Sequence, residues 1–166
     1  MDKTTLRAVQ APLKARYRDD AGSAVITLRA EGALSGEEVS CSVQTGRALV
    51  EAGLHPATGG DGSFACSGDM LLQALVACAG VTLRSVATNR GLAVRGTVRA
   101  EGDLDVRGTL GVDREAPVGF RSIRLHFALE GDLDEATLDD LVTTTERYCV
   151  VLQTIASAPT IDVTRS

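Results

Sequence analysis

The sequence predicts an α+β protein, with a mostly antiparallel sheet and two core helices in a single domain covering residues 1–166. Several short segments alternate apolar and polar residues with a period of two, as half-buried strands do. The run LLQALVACAGVTL, Leu71 to Leu83, is apolar almost throughout and reads as a buried helix. A later segment, Leu138 to Ala156, repeats apolar residues at i, i+3 and i+4. Short turns between neighbouring strands favour antiparallel pairing.

Residues 1–54 are expected to supply N-terminal strands. Leu13, Ala15 and Tyr17 alternate with Lys14, Arg16 and Arg18, a strand that ends at the turn DDAGS and pairs with Val25 to Arg29. Val39, Cys41 and Val43 alternate with Ser40, Ser42 and Gln44, so a third strand points Cys41 inward as a small core filler.

Residues 55–91 form a loop and the central helix. HPATGGDGSFACS, His55 to Ser67, is loop chemistry with no apolar period. The helix runs from about Gly68 to Asn89, with Ser67 or Asp69 as N-cap and Gly91 as the stop. Apolar residues occur all the way round it, which predicts burial on every side. Gly80 in mid-helix suggests close approach of another helix or a ligand.

Residues 92–166 resume the sheet. Leu92 to Ala100 and Val106 to Val112 have strand character. Ile123, Leu125, Phe127 and Leu129 alternate with Arg124, His126 and Ala128, so His126 faces away from the core. Asp134 caps a second helix whose buried stripe includes Leu138, Leu141, Val142, Thr145, Cys149, Leu152 and Ala156. Pro159 stops it, and TIDVT supplies a closing strand.

Composition narrows the function classes. A formal net charge of -5 gives no general attraction to phosphate backbones or anionic lipid, and aromatics at 3% make base stacking an unlikely main activity. The N-terminus lacks an apolar signal region, and the Met70–Leu83 run, interrupted by Gln73 and Thr82, is short for a bilayer. The expectation is therefore a cytoplasmic protein with no membrane or nucleic-acid partner. Cys41, Cys66, Cys78 and Cys149 contain no CxxC pair, which disfavours a static disulfide framework and leaves a transient, catalytic disulfide open. Cys66 reads first as packing, with a spare thiol or an alternative disulfide partner as the other options. His55 and His126 have no closely spaced ligand partner, so no metal site is expected.

Cys78 and Cys149 each lie on the inner face of a predicted core helix, so helix packing would let the thiols meet. Leu71, Leu75, Thr82 and Ser85 share the face of Cys78. Ordinary buried cysteine is one reading; a reactive pair is the other. A reactive thiol must be a thiolate, and burial opposes that. Cys78 lies too far into its helix for the N-terminal dipole to help, which calls for an arginine from elsewhere.

These residues carry a family resemblance. GDMLLQALVACAGVTLRSVA followed by TERYCVVLQTI resembles the OsmC/Ohr family of thiol-dependent hydroperoxide reductases, and FRSIRLHFALEGDLDEATLDDLVTTTERYC is similar to its YhfA-like branch. The resemblance runs from His55 through the last strand. It implies an OsmC-like fold in which antiparallel sheets wrap two core helices, and an intertwined homodimer with its sites at the subunit interface. It implies that Cys78 attacks an organic hydroperoxide and Cys149 resolves the sulfenic acid as a Cys78–Cys149 disulfide, which an external dithiol reopens. No cofactor or metal is implied. The family's thiolate-stabilising arginine corresponds to Arg47, Arg29 or Arg16, and its arginine-orienting glutamate falls closest to Asp69, which otherwise serves as a helix cap. The alternative reading is a non-peroxidase relative that binds a small apolar ligand or senses oxidants.

Overall fold

The computed structural model describes residues 2–19, 32–33, 40–44, 49–111 and 113–165. Helix α1, Lys3–Asp19, stands where a strand was expected at Leu13–Arg18. The alternation there covers only six residues. Over the full segment Leu6, Val9, Leu13 and Tyr17 recur every three or four positions among good helix formers. The Asp2 carboxylate accepts the Thr5 N–H at 2.8 Å and starts the helix.

Strands β1 (Gly32–Ala33), β2 (Ser40–Gln44), β3 (Leu49–Gly53) and β4 (Ala65–Cys66) form one sheet in that order. The first two pairings are antiparallel and the last is parallel. Strand β2 matches the expected third strand, with Cys41 opposite Ala52. The expected strand Val25–Arg29 lies outside the described residues. Between β3 and β4 a single 3-10 turn, Pro56–Thr58, interrupts the predicted loop.

Helix α2 covers Ser67–Arg90. Ser67 is thus its first residue and Asp69 lies within its first turn, so neither is the residue that precedes the helix. Its end follows the prediction: Gly91 adopts φ 74, the Gly91 N–H reaches Thr88 O at 3.1 Å, and the Leu92 N–H reaches Ala87 O at 2.9 Å. That paired closure needs a left-handed residue, which glycine supplies.

Burial of α2 departs from the all-round expectation. Leu75, Ala79, Leu83 and Ala87 form a buried stripe at four-residue spacing, whereas Leu71 is 41% and Val81 71% exposed. One chain supplies cover for one face only. By length and composition α2 is able to cross a membrane, contrary to the expectation from the shorter run. The core helix of a soluble protein passes the same test, and the buried stripe of α2 packs into protein core. An added Cβ at Gly80 meets nothing within 4 Å, so no segment of the described chain approaches it closely.

Strands β5 (Arg95–Leu104) and β6 (Phe120–Glu130) form a second sheet. Ile123, Leu125, Phe127 and Leu129 are half-buried while Arg124, His126 and Ala128 are exposed, as their alternation predicts. Between these strands, the expected strand Val106–Val112 is instead the one-turn helix α3, Val106–Thr109. Asp105 caps it by accepting the Arg107 N–H at 3.2 Å while its carboxylate also binds the Arg107 guanidinium, and Gly111 at φ 67 turns the chain back.

Asp134 caps α4, Glu135–Tyr148, by accepting the Thr137 N–H at 2.7 Å, as expected. A separate helix α5, Val150–Ala156, follows after a break at Cys149. The expected closing strand at TIDVT is absent: residues 158–165 carry no strand, and Ile161 and Val163 are exposed. Its alternation is genuine, but no strand among the described residues pairs with it, and an unpaired strand has nothing to hold its backbone.

The chain divides into two compact units: Met1–Pro12 with Ala74–Ala100 and Leu125–Ser166, and Leu13–Gln73 with Glu101–Arg124. In the first, Leu83, Ala87, Val94 and Leu141 make a buried cluster packed by Val86, Leu92, Phe127, Leu129, Leu133 and Leu138. Both helical cysteines belong to this unit.

Candidate functional site

Cys78 sits in the middle of α2, half-buried, and Cys149 is fully buried. Both thiols are free and lie within hydrogen-bonding reach of each other. The predicted meeting of the two core-helix cysteines is therefore present, although Cys149 occupies a break and not the continuous helix foreseen.

The break has a local cause and a chemical consequence. Thr145, fully buried, turns its hydroxyl back onto Leu141 O at 2.8 Å, a bond that tends to bend helices, and two β-branched valines follow Cys149. Cys149 still donates its N–H to Thr145 O at 2.9 Å, but its ψ of 105 is extended, and i→i−4 bonding resumes only at the Gln153 N–H on Cys149 O. The N–H groups of Val150, Val151 and Leu152 are freed by this, and they are the groups that face the two sulfurs. Gln153 Nε2 satisfies the Glu146 carbonyl that the break leaves over.

Burial pushes the Cys78 thiol up. Against this act the Val151 N–H, the Cys149 thiol, the Thr82 hydroxyl and the Val150 N–H, and the net result holds Cys78 below the ordinary thiol value. Burial pushes Cys149 up as well, and a Cys78 thiolate beside it adds to the rise. The Leu152 and Val151 N–H groups offset this only in part. Of the two thiols, Cys78 is thus the one disposed to lose its proton first. Sequence reasoning sought an arginine for this task and missed the helix start. The only available signal was the β-branched pair after Cys149, which is weak.

The other expected site residues are more dispersed. Arg29 and Arg47 lie outside the described residues, and Arg16 falls in α1 with its side chain outside the description. Asp69 is exposed in the first turn of α2, and no arginine among the described residues pairs with it. With Cys66 it borders a cavity of about 600 Å³ in the second compact unit, lined also by His55, Leu104, Val118 and Phe120. This cavity has Cys66, and not Cys78, in its wall. His55 caps the 3-10 turn, its Nδ1 accepting the Ala57 N–H at 3.0 Å, and His126 is exposed. Among the described residues, no three His, Cys, Asp or Glu side chains cluster so as to hold a metal.

This α+β chain brings two free cysteines together, one at the start of a helix and one in the middle of another. The sequence pattern of the OsmC-like protein family matches residues 60–164, and the chain belongs to that family. No curated protein matches. Among solved structures, an OsmC-like protein from Mycoplasma pneumoniae is similar with a TM-score of 0.66 and 16% identity, covering 80% of this chain and 89% of that one. An organic hydroperoxide resistance protein OsmC from Legionella pneumophila has a TM-score of 0.62 and 18% identity over 80% and 91% of the two chains. One from Elizabethkingia anophelis has a TM-score of 0.64 and 16% identity over 81% and 91%. These likenesses establish an α+β OsmC-like fold.

Proposed function

We propose that the protein is a cytoplasmic, homodimeric thiol peroxidase that reduces organic hydroperoxides through Cys78 and Cys149. The observation that carries this reading is the juxtaposition and asymmetry of the pair: Cys78 is held below the ordinary thiol value and the neighbouring Cys149 above it. Two similar structures are organic hydroperoxide resistance proteins, which supports the substrate class. The Cys78 thiolate attacks the terminal peroxide oxygen, the O–O bond breaks, and the departing alkoxide takes a proton to leave as alcohol. Cys149 then attacks the sulfur of the Cys78 sulfenic acid. Water leaves with the Cys149 proton and an S–S bond forms. An external dithiol exchanges with this disulfide, restoring both thiols and itself becoming oxidised. An arginine among Arg16, Arg29 and Arg47 assists the thiolate. The exposed outer face of α2 supports docking of a second copy.

The test is consumption of cumene hydroperoxide with reduced lipoamide. Turnover is expected in the native protein, none with Cys78→Ser, and a trapped sulfenic acid at Cys78 with Cys149→Ser. Retained Cys78 thiol after one equivalent of peroxide defeats the proposal. The second reading, binding of a small apolar ligand or oxidant sensing without turnover, is favoured by the cavity at Cys66. A single oxidation with no sustained consumption selects it.

A further inference from the structure

We infer a second ligand site, for an aliphatic carboxylate, on the side of α2 away from the cysteine pair. A cavity of about 400 Å³ in the first compact unit is lined by Gly80, Leu83, Arg84, Arg95, Val98 and Leu129, among others. At ~100° per residue, Gly80 and Arg84 lie roughly 200° and 240° around the helix from Cys78, so this space is distinct from the thiol site. Its floor is the outer surface of the core: Leu83 is buried and Leu129 packs against the same cluster. That floor suits an alkyl chain.

The rim suits an anion. Arg84 is steered by one donor, Nη1, which bonds the Val94 carbonyl at 2.8 Å, leaving the rest of its guanidinium fork for another acceptor. Arg95 stands beside it. No acidic residue lines the cavity, and neither arginine forms an ion pair among the described residues. Three other arginines are paired: Arg90 with Asp140 at 2.7 Å, Arg107 with Asp105 at 2.6 Å, and Arg124 with Asp103. In a chain with 22 acidic residues and 17 basic ones, two arginines lining one cavity without an acid present a complement for an external carboxylate.

Gly80 is the independent observation. Glycine weakens a helix interior, and here no neighbouring atom demands it, since an added Cβ meets nothing within 4 Å. What glycine does at this position is keep the cavity wall free of a side chain. Arginine fork, apolar floor and absent side chain together define a site for a carboxylate with an alkyl tail, independent of the cysteine chemistry.

Calorimetric titration of the full-length protein with sodium octanoate and with 1-octanol tests the site. Octanoate is expected to bind once per chain, with 1-octanol about tenfold weaker or more. Arg84→Gln and Arg95→Gln should each weaken octanoate by about tenfold and leave 1-octanol unchanged. Gly80→Leu should abolish both while the thermal midpoint holds or rises, and Cys78→Ser should leave octanoate binding intact. Equal affinity for the two probes, indifference to the arginine substitutions, or loss of binding with Cys78→Ser overturns the inference. So does Gly80→Leu that changes the oligomeric state while octanoate still binds.

Discussion

Gln153 Nε2 donates to the Glu146 carbonyl at 2.9 Å, closing the acceptor that a continuous helix would have given to the Val150 N–H. The side chain thereby stabilises a backbone break whose freed donors face Cys78. Gln153→Ala is expected to lower stability by about 1 kcal/mol and to raise the Cys78 pKa. Chemical denaturation measures the first effect, and the pH dependence of Cys78 alkylation the second. An unchanged alkylation profile would separate the break from the thiolate.

Thr82 lies one turn beyond Cys78, and its hydroxyl is near enough to the sulfur to favour the thiolate. Thr82→Val keeps the shape and removes the donor. Reaction of Cys78 with cumene hydroperoxide at neutral pH should slow by about threefold to tenfold, the range set by a shift of up to roughly one pKa unit. Raising the pH should restore the rate. A deficit that persists at high pH points to a steric effect instead.

The two thiol shifts have opposite signs in stability. The folded value of Cys78 is depressed, so its contribution is present above the unfolded thiol value and lost as pH falls through the folded value. The folded value of Cys149 is raised, so its contribution is present below the unfolded value and lost as pH rises through the folded one. The pair therefore stabilises most near the ordinary thiol value, about 8.5. Denaturation midpoints of the native protein minus those of Cys78→Ala should rise toward that pH from below. A flat difference contradicts the assigned direction.

What the sequence made legible was what repeats along it. The α4 cap at Asp134, the stop at Gly91 and the facing of β6 each depend on residues within a few positions, and each was found. Leu13–Arg18 and Val106–Val112 failed because six or seven residues of alternation do not distinguish a strand from a helix once a cap such as Asp2 or Asp105 is present. The closing strand failed because strandness requires a partner. The meeting of Cys78 with Cys149 followed from their positions on core faces. The donors that tune them did not, because a helix break at a cysteine depends on a buried threonine's back-bond and on Gln153 in the next turn.

Val81, 71% exposed on α2 beside the exposed Ala74 and Ala77, bears on what covers this helix. A charge there meets no described core side chain, so a monomeric protein tolerates it within about 0.5 kcal/mol. A second copy docked on that face would instead bury an unpaired carboxylate in an apolar contact. Val81→Glu is therefore expected to convert a dimer into monomers by analytical ultracentrifugation while preserving the helical circular dichroism signal. Peroxide turnover should fall with it, since the proposed sites lie at the subunit interface. An unchanged dimer removes the outer face of α2 from the interface, and partition of the native protein into detergent-extractable membranes would assign that face to lipid.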